Sequence, residues 1–592
     1  MASMPTLYPL VMGREAMIST EHYLSAAAGA RTFARGGNAI DAAVAATFVE
    51  GVVNPHMHTI GGEAPMLIYS ADARRIVAIN GNMAAPARAT IEHFRSLGID
   101  LIPPSGLLAA GVPAALGALI TALRLCGTLT LAEVLEPALE LAEDGFPMHV
   151  GLAGEVGPDA DAHQGAAGAS IMRFAETFTT RWPSTGRVYM PEGRVPRPGE
   201  IIRNPALARF YRRLLDAEAS ARSRGREAAL DAAIDRFYRG DIARDIVAWS
   251  GEQGGLLQMS DLERFTTRVE EPVSTDYRGA AVFKCGLWSQ GPVFLQQLRL
   301  LEGFDLAAMR HNSADYVHTV TETAKLAFAD RDAYYADPEF TRVPIDALLS
   351  REYAAVRRTL IDLRRASHDE RPGDPASLRA LRGETPPESR PWGGGTVHVT
   401  ACDRAGNMIA VTASGGWIPS SPVIDTLGFP LGSRMQTFYL DPGHPNALVP
   451  GKRPRTTLSP SLARLGDQRW LAFGTPGGDQ QDQWTLQFFL NVADFAMDLQ
   501  QAIEAPKFST PHNASTFYPH DRHPGALRIE DRVDPAVCDE LAARGHKVHL
   551  RPSWSEGRVL GVSFDPVRGL LSGGCDPRGQ QLPSMPAQTI GW

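Results

Sequence analysis

The chain has 592 residues, of which 44% are hydrophobic and 21% charged, with a formal net charge of −8. This balance is ordinary for a globular protein and offers no basic surface for nucleic acid. Five scattered cysteines (Cys126, Cys285, Cys402, Cys538 and Cys575) form no CxxC pair, which argues against a disulfide framework or a zinc site, and no apolar run reaches the roughly 18 residues of a membrane span.

Met1 to Gly13 lacks the basic region and apolar core of a signal peptide. The expectation is a cytoplasmic protein, or a periplasmic or secreted one if a leader has been removed. Residues 20–50 read as one helix, rich in alanine after the Gly36-Gly37-Asn38 turn. Pro65–Tyr69 and Arg75–Ile79 read as paired strands. From about 110 to 380 apolar residues recur mostly at helical spacing. Residues 366–395 are rich in Pro, Gly, Arg and Glu and read as an exposed, mobile tail. Beyond 396 strands alternate with helices; 489–505 reads as a helix and 548–571 as strands. His56 and His58 have strand spacing for one metal, but no third ligand stands nearby, so no metal site and no cofactor is expected.

The most informative stretch is Gly393-Gly394-Gly395-Thr396-Val397-His398. Three glycines run into a hydroxyl residue that heads a hairpin, 396–402 and 408–412, turned at Asp403–Asn407. This arrangement suits a chain that cuts itself before Thr396. The freed threonine then carries a nucleophile and a base, its hydroxyl and its own α-amine, whose pKa of roughly 8 leaves a useful neutral fraction. Glycine at 395 removes steric hindrance at the carbonyl to be attacked. His398 points to the same face as Thr396 and reads as a packing or hydrogen-bonding neighbour.

Around this stretch the chain resembles the γ-glutamyltranspeptidase superfamily. The motifs run in family order: Gly36–Ala46 (GGNAIDAAVAA), Asn54–Glu63, Gly111-Val112-Pro113, Tyr277-Arg278-Gly279, Glu322 with Lys325, Ala329-Asp330-Arg331, Lys452-Arg453-Pro454, Ser459-Pro460, Gly474–Gly478 and Asp576-Pro577-Arg578. The resemblance implies a mixed α/β fold, the four-layer αββα sandwich of the N-terminal nucleophile hydrolases. It implies a large subunit, 1–395, and a small subunit, 396–592, folded as one unit, with a dimer of such heterodimers left open. Thr396 takes the nucleophile position. Ser414 falls where the family places a hydroxyl that bonds the nucleophile, and Gly477 and Gly478 match its oxyanion pair. Thr456 and Thr457 replace two serines that hold a substrate carboxylate.

Elsewhere the pattern departs from the family. Asn82 stands where an arginine grips the donor, Gly416 where an asparagine is expected, and Thr437 where an acid binds the amino group. Arg434 enters the segment Arg434–Phe438, whose family counterpart closes over the site, and its planar fork suits a carboxylate. The expectation is a self-processing amide hydrolase or acyltransferase for a small molecule whose acyl group is not glutamyl. The alternatives are a γ-glutamyl enzyme that holds glutathione-like donors by other residues, and a non-catalytic relative.

Overall fold

A computed structural model describes residues 5–154, 169–377, 379–380, 395–578 and 587–592. Gly393 and Gly394 lie outside the described residues.

Strict alternation builds the centre. In the strand Thr396–Asp403 the residues Thr396, His398, Thr400 and Cys402 face a second sheet: Thr400 Oγ1 donates to the Ala472 carbonyl (3.1 Å), and Cys402 Sγ reaches the Ser563 carbonyl (3.6 Å). Val397, Val399 and Ala401 face the other way and join a large helical core. Each sheet thus has one face on its partner sheet and one on helices, which gives four layers, α, β, β, α.

The first sheet orders its strands Gln588–Gly591, Ala16–Thr20, Thr396–Asp403, Met408–Ser414, Met66–Ser70, Arg75–Asn80 and Arg268–Glu270, all antiparallel. The second orders Val11–Gly13, Leu570–Gly574, Leu560–Asp565, Trp470–Gly474, Ser461–Arg464, Ala280–Lys284 and Val273–Tyr277, again antiparallel. Residues from before and after position 396 therefore interleave in both sheets.

The alanine-rich segment forms the helix Ala39–Val53, and all fifteen of its residues are buried. Small side chains let it pass through the core against the first sheet. Its start is fixed by a capping box: Asn38 accepts from the amides of Ile40 and Asp41, and Asp41 accepts from the Asn38 amide. The Ala39 amide also donates to Asp403 (3.0 Å), tying this helix to the far end of the Thr396 strand.

Three sequence expectations need correction. The region 20–50 holds two helices, Tyr23–Ala34 and Ala39–Val53, because Gly36 takes a left-handed φ of 91°. The region 489–505 likewise divides into Gln481–Ala493 and Leu499–Glu504. Residues 366–377 are no loose tail: Ala366 donates to the Arg544 carbonyl, and the Gly373 amide donates to Asp330. Ala366, Gly373 and Pro375 are buried there. The rest of the proposed tail, 378 and 381–394, lies outside the described residues.

Candidate active site

Strand register brings the site together. Thr396 pairs directly with Ser414 across the hairpin, so their side chains rise on the same face. Thr396 Oγ1 donates to Ser414 Oγ at 3.2 Å. Glu63 is the next residue across, joined to Ser414 by two backbone hydrogen bonds of 2.8 and 2.9 Å.

Arg434 spans the row. From the turn Arg434–Thr437 its Nε donates to both Glu63 oxygens (3.2 and 3.0 Å) and its Nη2 to Ser414 Oγ (2.8 Å). The guanidinium carbon lies over the rings of Trp417 (5.1 Å) and Phe517 (5.3 Å), which are themselves neighbours at 6.5 Å. Arg434 and Glu63 are both fully buried. Burial pushes the Glu63 carboxyl up to about 6, and the Arg434 charge pulls the other way.

The Gly395 carbonyl lies against this row. Its oxygen accepts from Ser414 Oγ (2.6 Å) and from the Trp417 indole Nε1 (2.6 Å). A Cβ at position 395 would come within 2.6 Å of the His56 carbonyl oxygen and of Met57 Cα, so only glycine fits. Thr396 is almost wholly buried, at 5% exposure. A hydroxyl, a second hydroxyl and a polarised carbonyl thus form one hydrogen-bonded chain, a geometry suited to an N-to-O acyl shift.

The other expected residues fall as follows. Gly477 and Gly478 have φ of 122° and 61°, and a Cβ at Gly477 would strike Trp484 at 2.2 Å. They stand between the strand Trp470–Gly474 and the helix Gln481–Ala493, joined by one turn of 3-10 helix. Gly416 has φ of 60°, and a Cβ there would meet Thr59 Oγ1 at 2.4 Å and the Gly62 amide at 2.8 Å. The family's asparagine therefore has no room in this backbone. Thr437 Oγ1 donates to the Arg434 carbonyl and braces the turn. Thr456 pairs with Ser289 through the Trp288 carbonyl and the Gln290 amide. Asn82 donates to the Pro454 carbonyl (2.5 Å). Among the described residues, Asn82 Oδ1, Thr457 Oγ1 and Arg434 Nη1 are buried polar atoms without a hydrogen-bond partner. Three of the five expected substrate-binding residues so keep an unused polar group.

His398 sits between the sheets, bonded to Thr412 Oγ1 (3.0 Å), and a Cβ on Gly474 would touch its ring. Burial, aided by Lys284, holds its pKa down at about 3, so it remains neutral. Among the described residues, His318, Glu322 and His546 form the group that clusters like metal ligands. Most of their ligand atoms are in use: His318 Nδ1 meets His546 Nε2 (2.9 Å), His318 Nε2 meets the Asp362 carbonyl (2.8 Å), and Glu322 pairs with Lys325 and Arg371, while His546 Nδ1 has no hydrogen-bond partner among the described residues.

Sequence reasoning missed Glu63 and Trp417. It also missed a buried polar group that includes His56, whose carbonyl lies against Gly395. Glu21 and Glu50 are pushed up to about 8 and 7, chiefly by burial; among the described residues neither Glu21 oxygen and neither His56 ring nitrogen has a hydrogen-bond partner, and Glu21 Oε2 lies 4.0 Å from Arg558 Nη1. A glutamate inside the apolar run Thr47–Val53 was the available signal.

A sequence model described as gamma-glutamyltranspeptidase matches residues 25–585. A curated relative, the glutathione hydrolase-like YwrD proenzyme of Bacillus subtilis (strain 168), is 31% identical, with 96% of this chain and 98% of the relative covered. The solved structure of LmbA2991HD superposes with a TM-score of 0.90 at 41% identity, covering all of both chains. The crystal structure of a cephalosporin acylase from Bacillus halodurans superposes with a TM-score of 0.82 at 29% identity, covering 100% of this chain and 98% of the other. The chain belongs to the γ-glutamyltranspeptidase family of self-processing N-terminal nucleophile hydrolases.

Proposed function

We propose that the chain cuts itself between Gly395 and Thr396, and that Thr396 then hydrolyses or transfers an acyl group that carries no α-amino group. The hydrogen-bonded chain Thr396 Oγ1, Ser414 Oγ, Gly395 O carries the first half of this reading. In turnover Thr396 Oγ1 attacks an amide carbonyl, its own α-amine takes the proton, and the amine product leaves with that proton. The ester on Thr396 is then opened by water or by an amine acceptor. We assign the N–H groups of the Gly477–Gly478 loop to the oxyanion of this second reaction, where glycine leaves the amides unobstructed.

The acyl preference follows from the charges at hand. A glutamyl head brings an ammonium, and burying it without an acidic partner costs several kcal/mol. Thr437 offers no charge, and the nearby acid, Glu63, is already held by Arg434. Arg434 retains one unpartnered nitrogen, Nη1, as a donor for an acyl carboxylate or carbonyl. The relatives named as a glutathione hydrolase-like proenzyme and a cephalosporin acylase bracket the two classes to be separated.

The test compares a chromogenic γ-glutamyl anilide with the glutaryl anilide. The purified protein should contain a 395-residue and a 197-residue fragment (592 − 395 = 197), the smaller beginning Thr-Val-His, and should prefer the glutaryl compound. Efficient turnover of the γ-glutamyl compound would refute the acyl assignment, and full activity from an uncut chain would refute the nucleophile.

A further inference from the structure

We propose that self-cleavage has its own oxyanion site, formed by the Trp417 indole N–H and the Ser414 hydroxyl, separate from the Gly477–Gly478 loop assigned to turnover. The inference rests on the reading of Thr396 as the self-cleaving nucleophile and names a residue that the family motifs do not supply.

The geometry is direct. The Gly395 carbonyl oxygen receives two donors, Ser414 Oγ and Trp417 Nε1, each at 2.6 Å. Among the described residues, no N–H of the Gly477–Gly478 loop donates to it. Trp417 is held in place for this task. It is 1% exposed, its Nε1 is shared with the Met57 carbonyl (3.0 Å), and Arg434 lies over its ring. The absent Cβ of Gly395 lets the carbonyl-bearing residue sit flat against His56 and Met57.

The step balances without an outside base. Thr396 Oγ1 bonds to the Gly395 carbonyl carbon, its proton passes to Ser414 Oγ, and the Ser414 proton passes to the Gly395 oxygen. The product is a neutral five-membered ring closed through Oγ1, Cβ, Cα and the amide nitrogen of Thr396. When it collapses, the ring hydroxyl re-forms the carbonyl, its proton reaches the nitrogen, and the C–N bond breaks to leave an ester and a free amine. Water then adds to the ester, giving the Gly395 carboxylate and restoring the Thr396 hydroxyl. As negative charge grows on the Gly395 oxygen, the Trp417 bond becomes charge-assisted and strengthens, so it stabilises the transition state more than the ground state. The Arg434 charge on Ser414 Oγ favours the same outcome by keeping that serine a donor toward the carbonyl.

The experiment follows conversion of the 592-residue chain into its two fragments in wild type, Trp417→Phe and Thr396→Ala. Turnover is measured per cleaved chain and melting temperature alongside. Phenylalanine keeps a ring under Arg434 and deletes only the donor. Losing one oxyanion donor typically costs about 100-fold. Trp417→Phe should therefore slow cleavage by about 10- to 100-fold, and by a factor at least several times larger than its effect on turnover per cleaved chain. Cleavage at the wild-type rate, or equal losses in both readouts, would overturn the proposal. A crystal structure of the uncut Thr396→Ala chain gives a second readout independent of how the tryptophan variant folds. It should show the Gly395 carbonyl on Trp417, and a carbonyl resting instead on the amides of 477 and 478 would overturn the proposal. If Thr396→Ala is still cut, the nucleophile reading itself fails; if it stays whole while Trp417→Phe cuts normally, only this inference fails.

Discussion

At the scale of single residues the site turns on one buried ion pair. Glu63 and Arg434 are 371 positions apart in sequence, yet the pair clamps the serine beside Thr396. Removing one member of a buried pair strands the other and typically costs about 3–5 kcal/mol. Arg434→Ala should lower the melting temperature sharply, and adding Glu63→Gln should recover part of the loss, as a double-mutant thermal cycle would measure. The pH dependence carries two opposite signs. Glu63 has a folded pKa of about 6 against an ordinary 4.5, so its protonated form favours the fold. That stability is full below about 4.5 and is lost as pH rises through 6. The clamp needs the charged form, so the self-cleavage rate should fall as pH drops below about 6, and Glu63→Gln should abolish that limb of the profile. The glycine run and the family resemblance made Thr396 and Ser414 legible, and a strand's period of two put His398 on the face of Thr396, whereas the direct pairing of Thr396 with Ser414 needed the register of the hairpin. It could not reveal that the arginine expected to greet a substrate carboxylate already has a carboxylate partner. Glu63 sits in a glycine-rich run where nothing marks it as buried, and nothing in the sequence around Trp417 marks its indole as a donor to the Gly395 carbonyl.

At the scale of elements, the loop after the hairpin explains a departure that looked purely chemical. The backbone at Gly416 turns left-handed and packs onto Thr59 and Gly62, with Thr59 Oγ1 donating back to the Gly416 carbonyl (2.7 Å). The change from asparagine is thus tied to how 59–62 approaches 415–416, and restoring the asparagine will not restore a glutamyl subsite. Asparagine tolerates positive φ better than most residues, but its Cβ would still overlap a backbone amide. Gly416→Asn should cost stability and slow self-cleavage, read by melting temperature and fragment yield; a stable, fully cleaved variant that gains γ-glutamyl turnover would contradict this account. The helix boundaries show the same limit of sequence reading. Alanine content marked the helix Ala39–Val53, but periodicity could not, since all of its faces are buried. The break before it came from the left-handed turn at Gly36, a backbone conformation that the residue type allows without requiring.

At the scale of the whole molecule, the fold class was legible from the order of short motifs, whereas strand-rich ends around a helical middle would not have shown it. What composition hid was the interleaving. The strand Thr396–Asp403 lies between Ala16–Thr20 and Met408–Ser414, and the latter pairs onward with Met66–Ser70. A cut before Thr396 therefore divides the chain and leaves each sheet whole. The edge of the same sheet holds a further consequence. The carbonyl of Trp592 accepts from the amides of Arg14 and Glu15 (2.8 and 2.7 Å), so the last residue lies beside the first strands. A circularly permuted gene could then join residue 592 through a flexible linker to the segment that leads into Val11–Gly13 and open at Thr396. Loss of the initiator methionine would expose the threonine amine at once, with no peptide bond left to break. Such a permutant should turn over substrate as a single uncut polypeptide, and it should do so even when Trp417 is replaced by phenylalanine, which would sever the chemistry of birth from the chemistry of work.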